Sequence, residues 1–352
     1  MEKQENIIAT YQQIIQETEQ QLQKAQKRIR YISLLRLILF VEAVASAIIF
    51  WSDGWLKLIV FTVIPIIAFI WLVQSHNRWF YWKDYLKKKI EINQQELRAL
   101  QYDFSDFDNG KEYIDPSHLY TFDLDIFGEH SLFQYINRTS TPIGKQRLAN
   151  WFNENLEEKE AIEQRQEAIR ELSSELEFRQ QFRLLGLLYK GKPSDTSEIK
   201  EWVNSPSDYR KHAFLRILPT AVGIINLLCS FIFSKGITKI QATYGEKLQI
   251  LSTYADQILI TEKKEMHSPA LQQLKAELTS QNQTASQSVH RLAKLMNALD
   301  QRGNLLISTI LNGLLFWELR QVMQIEKWKE VHSADLPRWI EAIGAIDAYC
   351  SL

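Results

Sequence analysis

The sequence predicts an all-α protein, an N-terminal transmembrane helical hairpin followed by a larger helical domain. Three observations carry that expectation. Only 12 Gly and 8 Pro in 352 residues leave little punctuation for turns, and runs of Glu, Gln, Leu, Lys and Ala favour helix over strand. Two apolar stretches, residues 34–51 and 55–73, each approach the ~20 residues a helix needs to cross a bilayer. A capping residue followed by proline, a helix-start signature, recurs at Asp115-Pro116, Thr141-Pro142 and Ser268-Pro269.

Residues 1–33 read as an amphipathic cytoplasmic helix. Ile8, Tyr11, Ile15, Thr18, Leu22, Ala25 and Ile29 alternate three and four apart, which is a heptad seam. Thr18 and Ala25 weaken that seam, so the expected partner is a helix of the same chain rather than an independent coiled coil.

Residues 34–75 form the hairpin, turning at Ser52-Asp53-Gly54. Lys24, Lys27, Arg28 and Arg30 precede it; Arg78, Lys83, Lys87, Lys88 and Lys89 follow it; the turn has no basic residue. That pattern places both flanks in the cytoplasm. The expected location is the inner (plasma) membrane, with the lipid bilayer as partner and the bulk of the chain facing the cytoplasm. Trp51 and Trp55 at the turn, and Tyr31, Trp71, Trp79 and Trp82 at the other end, are the expected membrane-interface residues. A buried hairpin in a soluble protein is the competing reading. Glu42 and Lys57 favour it, because charge in hydrocarbon is costly; length and flanking charge favour the membrane.

Residues 76–112 read as a polar helix and an acidic linker. Asp106, Asp108 and Gly110 have the wrong ligand spacing, and no terminal Glu, for a calcium loop. Residues 113–352 form the larger domain, with helices expected at about 158–185, 240–285, 286–330 and 336–352 and an apolar insertion at 214–235. The insertion holds Arg216, Pro219, Gly223 and Asn226, and reads as a re-entrant or membrane-surface element.

Several function classes are disfavoured. A net charge of −1 does not suit a chain that grips nucleic acid over its whole surface. Cys229 and Cys350 cannot build a disulfide framework and fit a reducing compartment. The polar N-terminus is no cleavable signal. The seven histidines are scattered, with no metal-ligand spacing. The run from Gly186 to Lys192 matches a phosphate loop until Pro193, which has neither amide nor hydroxyl to offer. No catalytic, cofactor or metal residue and no small-molecule substrate is expected.

One segment is more specific. Residues 131–152 read Ser-Leu-Phe-Gln-Tyr-Ile-Asn-Arg138-Thr139-Ser-Thr141-Pro142-Ile-Gly144-Lys-Gln-Arg147-Leu148-Ala-Asn-Trp151-Phe. It closely resembles the opening of the MutS core domain: an apolar helix, Thr-x-Thr-Pro-x-Gly, then a helix with Arg-Leu and Trp. Ile162, Arg165, Ala168, Ile169 and Leu172 resemble the family's next helix. Leu311-Asn312, Trp317, Trp328, Trp339, Ile340 and Ile346-Asp347-Ala348 resemble its returning lever and the helix leading towards the ATPase domain. Arg138, Thr139, Thr141, Pro142, Gly144, Arg147, Leu148, Trp151 and Arg165 are the expected structural signature.

The resemblance implies a non-catalytic core and lever module of a MutS-like ATPase. ATP and Mg are expected only in a nucleotide-binding domain beyond this chain, through which the protein would also self-associate. The chain itself is expected not to be an enzyme. Its ending, without a helix stop signal, is expected to reflect a truncated chain or an interrupted gene. No Phe-x-Glu mismatch wedge is present, and a membrane hairpin stands where the mismatch-reading domains would be. Two alternatives stay open: a membrane-associated DNA-binding protein related to mismatch repair, and a helical membrane scaffold for a protein partner.

Overall fold

The computed structural model describes residues 2–49, 55–188, 195–205, 251–279, 284–300 and 317–352. These are helices and their connections; among them no strand forms, only an isolated antiparallel bridge between Thr279 and Thr284. The chain divides into two compact units, Met1–Asp106 and Phe107–Leu352. The expected hairpin turn with Trp51, the 214–235 insertion, Leu311-Asn312 and the Lys192-Pro193 part of the near-miss loop lie outside the described residues.

The first unit is two long helices, α1 (Glu2–Ile49) and α2 (Trp55–Ala99). Each runs unbroken from its polar part into its apolar part, and the two pack along one another. They are antiparallel: Arg28 lies 4.9 Å over the Trp79 ring, Arg36 lies 5.3 Å over Phe69, and Phe40 and Phe69 have centroids 6.4 Å apart.

The seam is heptad throughout. Thr18, Ala25, Ile32 and, two heptads further on, Ser46 are buried on α1, with half-buried Leu39 at the step between and Ala43 beside them; Pro65, Leu72, Leu86 and Asn93 keep the same register on α2, with half-buried Trp79 between Leu72 and Leu86. Thr18 and Ala25, expected to weaken the seam, are therefore buried members of it in the polar half of α1. Small side chains let the helices approach closely. The Thr18 hydroxyl donates to the Ile14 carbonyl at 2.6 Å, so it is buried without an orphaned group.

Away from the seam the apolar halves are bare. Leu37, Phe40, Val41 and Ile48 on α1, and Ile64, Ile67 and Ile70 on α2, are exposed. Both helices are long and apolar enough to cross a membrane, and only 17% and 12% of their most apolar stretches are buried. A core helix of a soluble protein would bury most of that surface.

The second unit opens with a 3-10 turn at Lys111–Tyr113 and continues through α3 (Leu132–Ile136), α4 (Pro142–Asn153), α5 (Lys159–Ser173), α6 (Leu176–Leu187) and α7 (Asp195–Asn204). Then come α8 (helical over 251–263), α9 (Pro269–Glu277), α10 (Ala285–Asp300), α11 (Trp317–His332) and α12 (Asp335–Ser351). The core is organised around α12, which packs on α4, α5, α6, α7 and α9. Its Trp339, Ile340, Ile343 and Ile346 are fully buried.

Three helix expectations need correction. Asp115-Pro116 opens a turn, not a helix: the Asp115 carboxylate accepts the Ser117 amide at 2.8 Å and its hydroxyl at 2.6 Å, a local bond that competes with helix propagation. The 158–185 stretch is two helices, because Ser173 and Ser174 donate back to the Arg170 and Glu171 carbonyls at 2.8 Å each and end α5. The 240–285 stretch breaks before Pro269, where Glu171 accepts the amides of His267 and Ser268 at 2.9 and 2.7 Å. An intrahelical partner for those amides is no longer needed.

Candidate functional site

The expected signature residues come together where α4 crosses α12. Thr141 is the N-cap of α4: its hydroxyl accepts the Gly144 amide at 3.0 Å, and Pro142 occupies the first turn. This is the capped start predicted from Thr-Pro, since proline's missing amide has no partner there in any case.

The cap itself is held by Asp347 from α12. That carboxylate accepts the Thr141 amide at 2.8 Å, the Thr141 hydroxyl at 2.7 Å, the Ser140 amide at 3.0 Å and the Ser140 hydroxyl at 3.1 Å. The Ser140 hydroxyl also accepts from Gln257 at 3.2 Å, and Gln257 reaches the Phe182 carbonyl at the same distance. One buried carboxylate thus ties α12 to the start of α4, and through Gln257 to α8 and α6. Burial pushes the Asp347 carboxyl up, the four hydrogen bonds pull it partly back, and it stands at about 6.

The crossing is close because two glycines allow it. A Cβ on Gly144 would lie 2.3 Å from the Asp347 carboxylate, and one on Gly344 would lie 2.7 Å from Ile143. Leu148 is fully buried one turn further along α4. Arg147 donates to Glu341 at 3.0 Å, and Lys200 of α7 reaches the other oxygen of that carboxylate at 2.6 Å. Trp151 packs on Tyr349 with centroids 4.6 Å apart, and Arg165 of α5 lies 4.5 Å over the Trp151 ring. The Arg138 amide donates to the Ser351 hydroxyl at 3.1 Å, and its guanidinium lies 3.5 Å over Phe107. Thr139 closes the turn onto the Asn137 side chain at 2.6 Å.

Sequence patterning did not single out Ser140, Gln257, Glu341 or Tyr349, nor the structural role of Asp347. A signal for Asp347 was present: it is the one charge in the stretch 342–350, and a buried carboxylate requires partners. Nothing in the spacing points to Gln257 more than 100 residues from the turn it touches. Of the membrane-interface set, Tyr31, Trp71 and Trp82 are exposed and Trp79 is half-buried under Arg28. The Trp51 residue and the Trp55 side chain lie outside the described residues.

The model of MutS domain III matches residues 117–352, which is most of the chain and includes every signature residue. The chain belongs to the MutS family. No curated protein and no solved structure matches it. In this MutS-family chain the Thr-x-Thr-Pro-x-Gly signature has a packing role: threonine caps, proline starts, and glycine admits the carboxylate of α12.

Proposed function

We propose that this chain is the membrane-tethered, non-catalytic core and lever module of a MutS-like ATPase. ATP and Mg belong in this reading to a nucleotide-binding domain outside the chain, through which copies would associate. The observation that carries the lever reading is the Asp347 lock. A displacement of α12 cannot leave the α4 cap behind without unpairing a buried carboxylate, and that is expensive. Any force on α12 is therefore passed to α4, α8 and α6 as a unit. The bare apolar faces of α1 and α2 support the tether, since they are the surface lipid would cover. The protein would sit in the inner membrane with its helical domain in the cytoplasm.

The test uses the purified full chain. Flotation with phosphatidylcholine vesicles that survives high salt, together with absence of ATP turnover, is the expected result. A chain that stays at the bottom of the gradient without detergent overturns the tether. Turnover that co-purifies with the chain overturns the non-catalytic assignment.

Family membership also favours a second reading, in which the domain touches DNA. Anisotropy of labelled matched and mismatched duplexes at low salt decides it: salt-dependent binding with a mismatch preference supports that reading. No change in anisotropy counts against it.

A further inference from the structure

Helices α8 and α10 lie side by side and antiparallel. Glu262 of α8 accepts the Ser286 amide at the start of α10 at 3.1 Å, and further along Asp256 reaches His290 at 3.4 Å. Around and beyond that pair the two helices line a cleft of about 640 Å³. Small-molecule sites run from about 300 to 1,000 Å³, so the space fits a compact ligand. Gln287, His290, Arg291 and Lys294 form one stripe of α10, and Ser252 and Asp256 face them from α8.

The charges in this lining do not cancel. His290 Nδ1 lies 3.1 Å from the Ser286 carbonyl, which can only accept, so that nitrogen donates and Nε2 is turned to Asp256. Asp256, the one carboxylate of the lining among the described residues, is thus engaged. Arg291 and Lys294 are exposed, and among the described residues no hydrogen bond or ion pair holds either side chain. Neighbouring like charges on a helix repel one another, and a bound anion removes that cost. Phosphate suits the pair: the guanidinium fork takes two of its oxygens and the ammonium a third. Ser252, Gln287 and the Asp256 carboxylate call for a different group. A carboxylate repels phosphate and accepts from hydroxyls.

We infer that the α8–α10 cleft binds a small phosphorylated, hydroxyl-bearing molecule of the sugar-phosphate class. Arg291 and Lys294 hold the phosphate, and Ser252, Asp256 and Gln287 hold the hydroxyls. The site stands apart from the membrane and lever readings of the chain. It lies beside Gln257, through which α8 is tied to Ser140 and Phe182. A ligand spanning the cleft braces α10 against that same helix.

The test is equilibrium dialysis of the purified full chain in detergent against radiolabelled ribose 5-phosphate at constant ionic strength. Saturable binding is expected, with orthophosphate competing more weakly. Arg291→Gln and Lys294→Gln are each expected to raise Kd about tenfold, the worth of one charge-assisted hydrogen bond. Arg291→Lys, which keeps the charge and guards against a folding artefact, loses less. Lys263→Gln removes an exposed cation of α8 outside the lining and is expected to change Kd little. Absence of saturable binding, or equal Kd in wild type and Arg291→Gln, overturns the site. Equal competition by orthophosphate and unlabelled ribose 5-phosphate overturns the hydroxyl contacts and assigns free phosphate. A DNA duplex that binds through Arg291 and Lys294 and is not displaced by ribose 5-phosphate overturns the small molecule and assigns a nucleic-acid backbone.

Discussion

Asp347 is a fully buried carboxylate facing four donors, and its balance of costs makes a measurable pH dependence. Ionised, it satisfies the amides and hydroxyls of Ser140 and Thr141. Burial nonetheless lifts it from the ordinary 3.8 to about 6. A carboxyl raised in the folded state favours folding while protonated, so its contribution is full below the unfolded value and is lost as pH rises through the folded one. From 3.8 to about 6 the loss is roughly 3 kcal/mol. Unfolding midpoints of the full chain in detergent, measured against pH beside Asp347→Asn, are expected to show that decline in wild type only. The asparagine variant is expected to lose about 1–3 kcal/mol where it leaves a buried donor unpaired. Parallel profiles for the two proteins would show that Asp347 does not titrate in that window.

Between elements, the α4–α12 crossing depends on the absence of a side chain at Gly144. Alanine ordinarily favours a helix over glycine by about 1 kcal/mol. Here its Cβ would meet the Asp347 carboxylate at 2.3 Å, so Gly144→Ala is expected to destabilise the chain by about 1–3 kcal/mol despite the propensity gain. A raised thermal midpoint would mean the crossing can open at little cost. The start of α4 was legible in the sequence because Thr141-Pro142 and Gly144 act within one turn. The Asp347 lock was not, since its partners lie about 200 residues apart and pattern reading sees only near neighbours. The same divide runs through the hairpin. The heptad pattern of residues 8–29 was legible, but Thr18 and Ala25 looked like defects because small residues gain value only once the partner helix sits close. Asn93 is fully buried in that seam and donates to the Lys89 carbonyl of its own helix at 2.7 Å; a polar residue at such a position is expected to cost stability and restrict the register. Asn93→Leu is expected to raise the thermal midpoint and broaden the set of α1–α2 cysteine pairs that crosslink. A lower midpoint with an unchanged crosslink pattern would reduce Asn93 to a packing residue.

On the scale of the whole chain, a two-helix hairpin with bare apolar faces is joined to a MutS domain III, and the hairpin's geometry constrains how any membrane could hold it. Because α1 and α2 are antiparallel, with Arg28 on Trp79 and Arg36 on Phe69, the polar halves of both helices emerge at the same end. Gln20 and Gln94, exposed on those halves, must then share one side of any bilayer that the pair spans. In the proposed membrane reading, basic residues on both flanks and none at residues 52–54 would put that shared side in the cytoplasm. Single cysteines at 20, 52 and 94, in a background carrying Cys229→Ser and Cys350→Ala, separate the outcomes in intact cells. A membrane-impermeant maleimide is expected to label position 52 directly, and positions 20 and 94 only after permeabilisation. The buried native Cys350 has a thiol pushed up by burial and would itself react slowly, so its removal is a precaution. Labelling of 20 without 94 from one side would mean the helices do not cross as an antiparallel pair. Labelling of all three only after permeabilisation would mean the hairpin does not span the membrane, and its bare apolar faces would then need a protein partner.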